Sequence, residues 1–206
     1  MLPQPPSNPW QRMWLHPRVT IRAVVSRNKR QTILLLLALS GISRALNGAS
    51  MKNAGDQQDL FTVLSVAVLT GMLSGLFTAY LIAPVLRWLG KCLGGQATTS
   101  QVRAALAWGS LPIAASLVLL LPELALFGEE FFKTATPRID QNEFLHTLLL
   151  VFGLVEVTLG IWAVVLIVVA IAEVQVFAVW KSLLSFVLLI LMFFVLLFVY
   201  YLFPAA

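Results

Sequence analysis

The sequence predicts an all-α membrane protein: five transmembrane helices, N-terminus cytoplasmic and C-terminus outside, preceded by short interfacial amphipathic helices. Three observations carry that prediction. First, 59% of the 206 residues are hydrophobic and only 11% are charged, with mean hydropathy +0.89. A soluble domain carries about a quarter charged residues, so this chain cannot build a water-facing surface. Second, five apolar runs reach the roughly 20 residues that a bilayer crossing needs. Third, the basic residues fall on alternate loops, as the positive-inside rule requires.

In chain order, residues 1–31 form a cytoplasmic or interfacial segment, 32–203 the five-helix domain and 204–206 a tail. The spans run over about 32–50, 60–83, 102–127, 144–172 and 182–203. The first, with core TILLLLALSGI after the basic run SRNKR, resembles a signal peptide. The thirty or so residues ahead of it and the poor cleavage sequence NGAS favour a retained helix. The fourth run exceeds the hydrocarbon thickness, so it tilts or continues into water.

Ten basic residues lie on the N-terminal side of the membrane: Arg12, Arg18, Arg22, Arg27, Lys29, Arg30, Arg87, Lys91, Arg103 and Lys181. The opposite loops hold three, Lys52, Lys133 and Arg138, among six acids. The net charge of +5 therefore implies attraction to anionic headgroups at the cytoplasmic face and no nucleic-acid partner.

The segment NPWQRMWLHPRVTIRAVVSRNKR holds two cap-plus-proline starts, Asn8–Pro9 and His16–Pro17. Trp10 and Trp14 share a face, and Arg18 and Arg22 lie between apolar positions, as expected of helices anchored in the interface. After span two, PVLRWLGKCLGG continues the helix into the cytoplasm, with Trp88 at interface depth. Gly94–Gly95 end it, and Thr98, Thr99 or Ser100 caps the next helix. Span three is bent by Pro112 and Pro122.

Span two presents Ala67, Gly71, Gly75 and Ala79 at every fourth residue, a smooth ridge for close helix packing against this chain or a second copy. Three ionisable groups fall inside the apolar runs. Glu156 shares a face with Gly153 and Gly160, Arg44 with Ser40, Gly41, Asn47 and Gly48, and Glu123 follows Pro122. By helical rise, Arg44 and Glu123 lie roughly 9 and 7 Å inside their outer ends, and Glu156 roughly 18 Å. An unpaired intramembrane charge costs at least about 2.5–3.5 kcal/mol. A pairing of Arg44 with Glu123 is therefore expected, with Glu156 protonated or held by Arg44 reaching inward. The cluster is a structural clamp or a polar transport site.

Zincin, nucleophile-elbow, phosphate-loop and paired-cysteine motifs are absent, so no enzyme, cofactor or metal site is expected. Cys92, the single cysteine, permits no internal disulfide.

Several stretches together carry a resemblance: WLHPRVTIR at 14–22, the Gly94–Gly95 pair with RAALAWGSLP at 103–112, PELALFG at 122–128 and AEVQVFAVWK at 172–181. In this order they resemble prokaryotic members of the Yip (Ypt-interacting protein) domain family, over nearly the whole chain. The resemblance implies a non-enzymatic membrane organiser or adaptor, often oligomeric, in the bacterial inner membrane. The alternative is a small transporter, channel or lipid-moving protein working through Arg44, Glu123 and Glu156. Eukaryotic members are associated with Rab-type GTPases. Their long N-terminal region and Asp-Leu-Tyr-Gly-Pro segment are lacking, so no GTPase partner is carried over.

Overall fold

A computed structural model describes residues 8–27 and 29–202. Residues 1–7 of the N-terminal segment, the side chain of Arg27, Phe203 at the end of the fifth predicted span, and the tail 204–206 lie outside the described residues. No strand occurs among the described residues.

The two lead-in helices start where their prolines place them. In α1 (Pro9–Leu15) the Asn8 side chain accepts from the Trp10 amide. In α2 (Pro17–Arg27) the His16 carbonyl accepts both the Thr20 amide and its hydroxyl, at 3.2 and 2.9 Å. Five helices are then long and apolar enough to cross a membrane: Arg30–Met51, Leu60–Cys92, Thr99–Phe132, Glu143–Gln175 and Val179–Leu202. The second runs nine residues past its predicted end at 83, and the third starts at Thr99, not 102. Helix continues beyond the apolar stretch wherever a capping residue, and not the membrane boundary, stops it.

The first span is α3 (Arg30–Met51). The second consists of α4 (Leu60–Phe77), a π turn over Thr78–Ile82 and α5 (Ala83–Cys92). Pro84 explains the turn. It has no N–H for the preceding ladder, and the Ala83 amide instead reaches back five residues to the Thr78 carbonyl. That shift releases the Ala79 carbonyl, which accepts from Arg103 Nε at 2.6 Å. The Arg103 guanidinium also lies 4.7 Å from the centre of the Tyr80 ring, and Arg30 donates to the Tyr80 hydroxyl at 2.8 Å.

The third span divides at Ser110 into α6 (Thr99–Gly109) and α7 (Leu111–Phe127), because Pro112 opens the second piece. Thr98 and Gln101 make a reciprocal capping box. A 3-10 turn (Gly128–Phe132) and the short α8 (Pro137–Asp140) lead to α9 (Glu143–Gln175), followed by α10 (Val179–Leu202).

Close backbone contact joins α3 to α4. A Cβ on Gly41 would stand 2.1 Å from the Gly71 carbonyl oxygen, one on Gly71 2.4 Å from Ile42 Cα, and one on Gly75 2.6 Å from the Leu37 carbonyl oxygen. The ridge of Ala67, Gly71, Gly75 and Ala79 is buried along its length, against a helix of the same chain. The main core gathers Leu36, Leu37, Ala105, Leu166 and Ile171 from α3, α6 and α9, with Ile21 and Val24 of α2 packed on it.

Gln175 staples the end of α9 to the α5–α6 loop. Fully buried, it accepts from the Ala97 amide at 3.2 Å and donates to the Leu86 carbonyl at 3.5 Å. A Cβ on Gly90 or Gly95 would strike its side chain at 2.0 or 2.3 Å. Gly94, with φ +87°, supplies the left-handed residue that turns the chain there. On the opposite face, Asp56 accepts from the Thr134 amide and hydroxyl at 3.0 and 2.6 Å, fastening the α3–α4 turn to the 3-10 segment.

Two predictions follow from these contacts. Gly71→Ala forces two backbones apart and lowers stability by about 1–3 kcal/mol. Gly48→Ala, whose Cβ meets nothing within 4 Å, leaves it nearly unchanged. Thermal unfolding in detergent compares the two; equal midpoints would refute the role given to the close approach. Hydrogen bonds from the Thr134 hydroxyl and amide hold the Asp56 carboxyl below its ordinary value of 3.8. Its contribution is therefore complete above that value and is lost as pH falls through the lower folded value. Exchange of the Thr134 amide accelerates in acid, and Asp56→Asn removes the acid dependence.

Candidate functional site

Two regions bring the predicted site residues together. The first is a cavity of about 390 Å³ between α3, α7 and α9, bordered by Asn47, Ser50, Glu123, Phe152, Gly153 and Glu156. The Asn47 amide, oriented by its partners, donates to both carboxylate oxygens of Glu156 at 3.2 Å. Glu123 is 2% exposed and makes no hydrogen bond or ion pair with any described residue. It borders the same cavity as Glu156. Beside the cavity, the Ser43 and Ser116 hydroxyls bond at 2.7 Å, linking α3 to α7. Phe127 meets Phe152 edge-on, with ring centroids 6.0 Å apart, and helps set the spacing of α7 from α9.

Arg44 does not join this cluster. The ion pairs among the described residues are Arg22–Glu173 and Lys133–Glu129. Arg44 is exposed and lines a separate groove of about 400 Å³ between α3 and α4, together with Lys52. The expected Arg44–Glu123 pair is therefore not formed, and Asn47 stands as donor to Glu156. The reason is rotational. Locking Gly41 against Gly71 turns Arg44, Gly48 and Lys52 toward the α4 edge, and Asn47 and Ser50 toward α7 and α9. Gly153 and Gly160 have nothing within 4 Å of their would-be Cβ positions; Gly153 borders the cavity, and Ala163, the next small residue on the face of Glu156, is buried. The two small-residue patterns thus differ: the α4 ridge is packed and the α9 stripe is open.

The second region is the platform made by α1 and α2. Met13, Thr20, Ile21 and Val24 are buried against the body. Trp10 packs on Trp108 at 5.0 Å between ring centroids yet stays 43% exposed. Trp14 is half-buried, while Arg12 and Arg18 face outward. Arg22 bonds to Glu173 near the end of α9, tying the platform to the body. Next to that bridge, a depression of about 870 Å³ is bordered by Arg22, Gln101, Glu173 and Phe177. Trp88 projects from α5, exposed.

Sequence reasoning overlooked Gln175, Glu173 and the Arg103–Ala79 contact, and it gave Asn47 no part in the pairing. Pro84 within span two was the available signal for the π turn, and Asn47 was the available uncharged donor. Glu156 and Glu123 with one amide can accept protons or bind a cationic group. Among the described residues, no group of three or more His, Cys, Asp or Glu side chains could hold a metal ion.

The Asn47 contact yields a direct test. Asn47→Leu lowers stability by about 0.6–1.7 kcal/mol, the range of interhelical hydrogen bonds in membrane proteins. Arg44→Ala changes it by less than about 0.5 kcal/mol. Unfolding in detergent decides; a larger loss in the arginine variant would restore Arg44 as the clamp.

Comparison with known proteins gives one positive finding. The family model described as Yip1 domain matches residues 10–201. No curated protein matches the chain, and no solved structure matches it.

Proposed function

Because this chain belongs to the Yip1 domain family, we propose that it is a non-enzymatic multi-pass membrane organiser. Its helical body holds a basic amphipathic platform against the cytoplasmic leaflet, as a scaffold for lipid and protein contacts. The observation that carries this reading is the docking of α1 and α2. One side is buried on α6 and α9 and bridged by Arg22–Glu173, while Arg12 and Arg18 stay outward. A loose basic tail would serve topology alone. A platform fixed to the body presents its charges and the exposed Trp10, Leu15 and Val19 in one geometry, suited to a headgroup surface.

The distribution of basic residues supports an N-terminus in the cytoplasm, and the resemblance to prokaryotic members of the family supports a location in a bacterial inner membrane. The open Gly153–Gly160 stripe, like the apolar α10, whose buried residues are Ser182 and Ser185, offers contact area to a second copy of the chain. Arg22 and Arg18 act as platform residues, Trp10, Trp14 and Trp88 as interface anchors, and the α4 ridge as internal packing.

The cavity supports a second reading. Glu123 and Glu156 border an opening of about 390 Å³, the feature that a small transporter, channel or lipid-moving protein needs.

Spin-labelled lipids in proteoliposomes distinguish the two. Wild type selects anionic over zwitterionic lipid, and Arg12→Gln with Arg18→Gln lowers that preference by roughly thirtyfold, each charge near the surface contributing about 1 kcal/mol. An unchanged preference would sink the platform reading. On the second reading, ion or lipid flux occurs in the same vesicles and is lost in Glu156→Gln.

A further inference from the structure

The groove beside Arg44 belongs to neither of the regions above. Arg44, Gly48 and Lys52 follow at four-residue spacing, so they lie along one face of α3 and the cap that follows it. Each step advances about 6 Å along the axis. The two cations thus flank a glycine, and a Cβ on that glycine would meet nothing within 4 Å. Across the groove stand Val63, Val66, Ala67 and Thr70 of α4, and the whole encloses about 400 Å³.

Charge compensation is missing on the protein side. Neither Arg44 nor Lys52 is in an ion pair among the described residues. The acids of the adjoining turn are committed elsewhere: Asp56 to Thr134, and Asp59 to the amide and hydroxyl of Thr62 at the start of α4. Glu156 is bonded to Asn47 on the other edge of α3. The Thr70 hydroxyl donates to its own helix at Val66. Arg44 is exposed two turns before the end of a membrane-spanning helix, where hydrocarbon gives way to headgroups.

We propose that this groove binds the phosphate of a phospholipid in the leaflet opposite the platform, held between the Arg44 guanidinium and the Lys52 ammonium. A guanidinium offers paired donors matched to phosphate oxygens, and an ammonium adds a second, mobile cation. Gly48 leaves the floor open for the phosphate. Val66, 45% exposed, continues the wall toward the bilayer interior, where an acyl chain follows. Free inorganic phosphate would meet the same two cations but could not use that apolar wall.

The test uses the full chain, released from phosphatidylglycerol nanodiscs and examined by native mass spectrometry. Wild type, Arg44→Gln with Lys52→Gln, Gly48→Phe, and Arg12→Gln with Arg18→Gln are compared, each checked for folding by thermal unfolding. Wild type and the platform variant retain one tightly bound phospholipid. The two groove variants hold it about tenfold more weakly or worse. Gly48→Phe fills the floor without touching a charge, so its loss separates a seated lipid from general attraction. If Gly48→Phe does not fold, the glutamine pair alone decides. Equal retention in the groove variants and wild type, or loss confined to the platform variant, overturns the proposal. So does displacement of the lipid by millimolar inorganic phosphate, which would make the groove a free-anion site.

Discussion

The contact between the backbones of α3 and α4 sets the rest of the molecule. In lipid, apolar side chains gain little by leaving tails for another helix, so close packing and interhelical hydrogen bonds decide which helices meet. Gly41, Gly71 and Gly75 remove the side chains that would hold these two helices apart. The approach fixes both their separation and the rotation of α3 about its axis. Rotation is the quantity with consequences. It turns Asn47 and Ser50 to α9 and the 3-10 segment, where Asn47 meets Glu156 and Ser50 donates to the Phe131 carbonyl. It turns Arg44 and Lys52 the other way, into a groove of their own.

Polar contacts then lock what the glycines bring near. At the platform face, Pro84 releases a carbonyl that Arg103 takes, so a helix defect becomes a bond between the second and third spans. Gln175 does the same for the fourth span and the loop before α6, and Lys181 adds a bond to the Leu93 carbonyl at 3.0 Å. Each is a buried or half-buried group satisfied by another element. Buried in protein, an unsatisfied alternative arrangement is costly. The same logic explains Val176, a β-branched residue at φ +57°. The turn that delivers Gln175 into its pocket requires a left-handed residue there, and the surrounding bonds offset the strain.

Much of this was legible in the sequence, for reasons that differ by element. The five spans, the proline-started lead-in helices and a cap among Thr98, Thr99 and Ser100, which the structure narrows to Thr98, rest on local composition, which the chain states directly. The α4 ridge was legible because small residues at spacing four have one efficient use in lipid. The partner of Glu156 was not. Helical spacing puts Arg44 and Asn47 on adjacent parts of α3, one helical step of three residues apart. Choosing between them requires the rotation that the Gly41–Gly71 contact sets, a tertiary fact. Charge complementarity pointed to the arginine, and geometry selected the amide. The Gly153–Gly160 stripe leaves room beside Glu156: a pattern of small residues marks a surface that permits close approach, and here Gly153 borders a cavity between helices.

The two faces of the membrane domain consequently do different work. At the platform face, α2, α9, α10 and the α5–α6 loop are cross-linked through Arg22–Glu173, Gln175 and Lys181, so the basic surface is carried by a braced base. In the opposite half, α9 holds Glu156 by a single amide and keeps its glycine stripe open, and α10 beyond Ser185 has no buried residue among those described. The two halves share α3, which lends Arg30 to the first and Asn47 to the second, so the rotation that the α3–α4 glycines fix sets both at once.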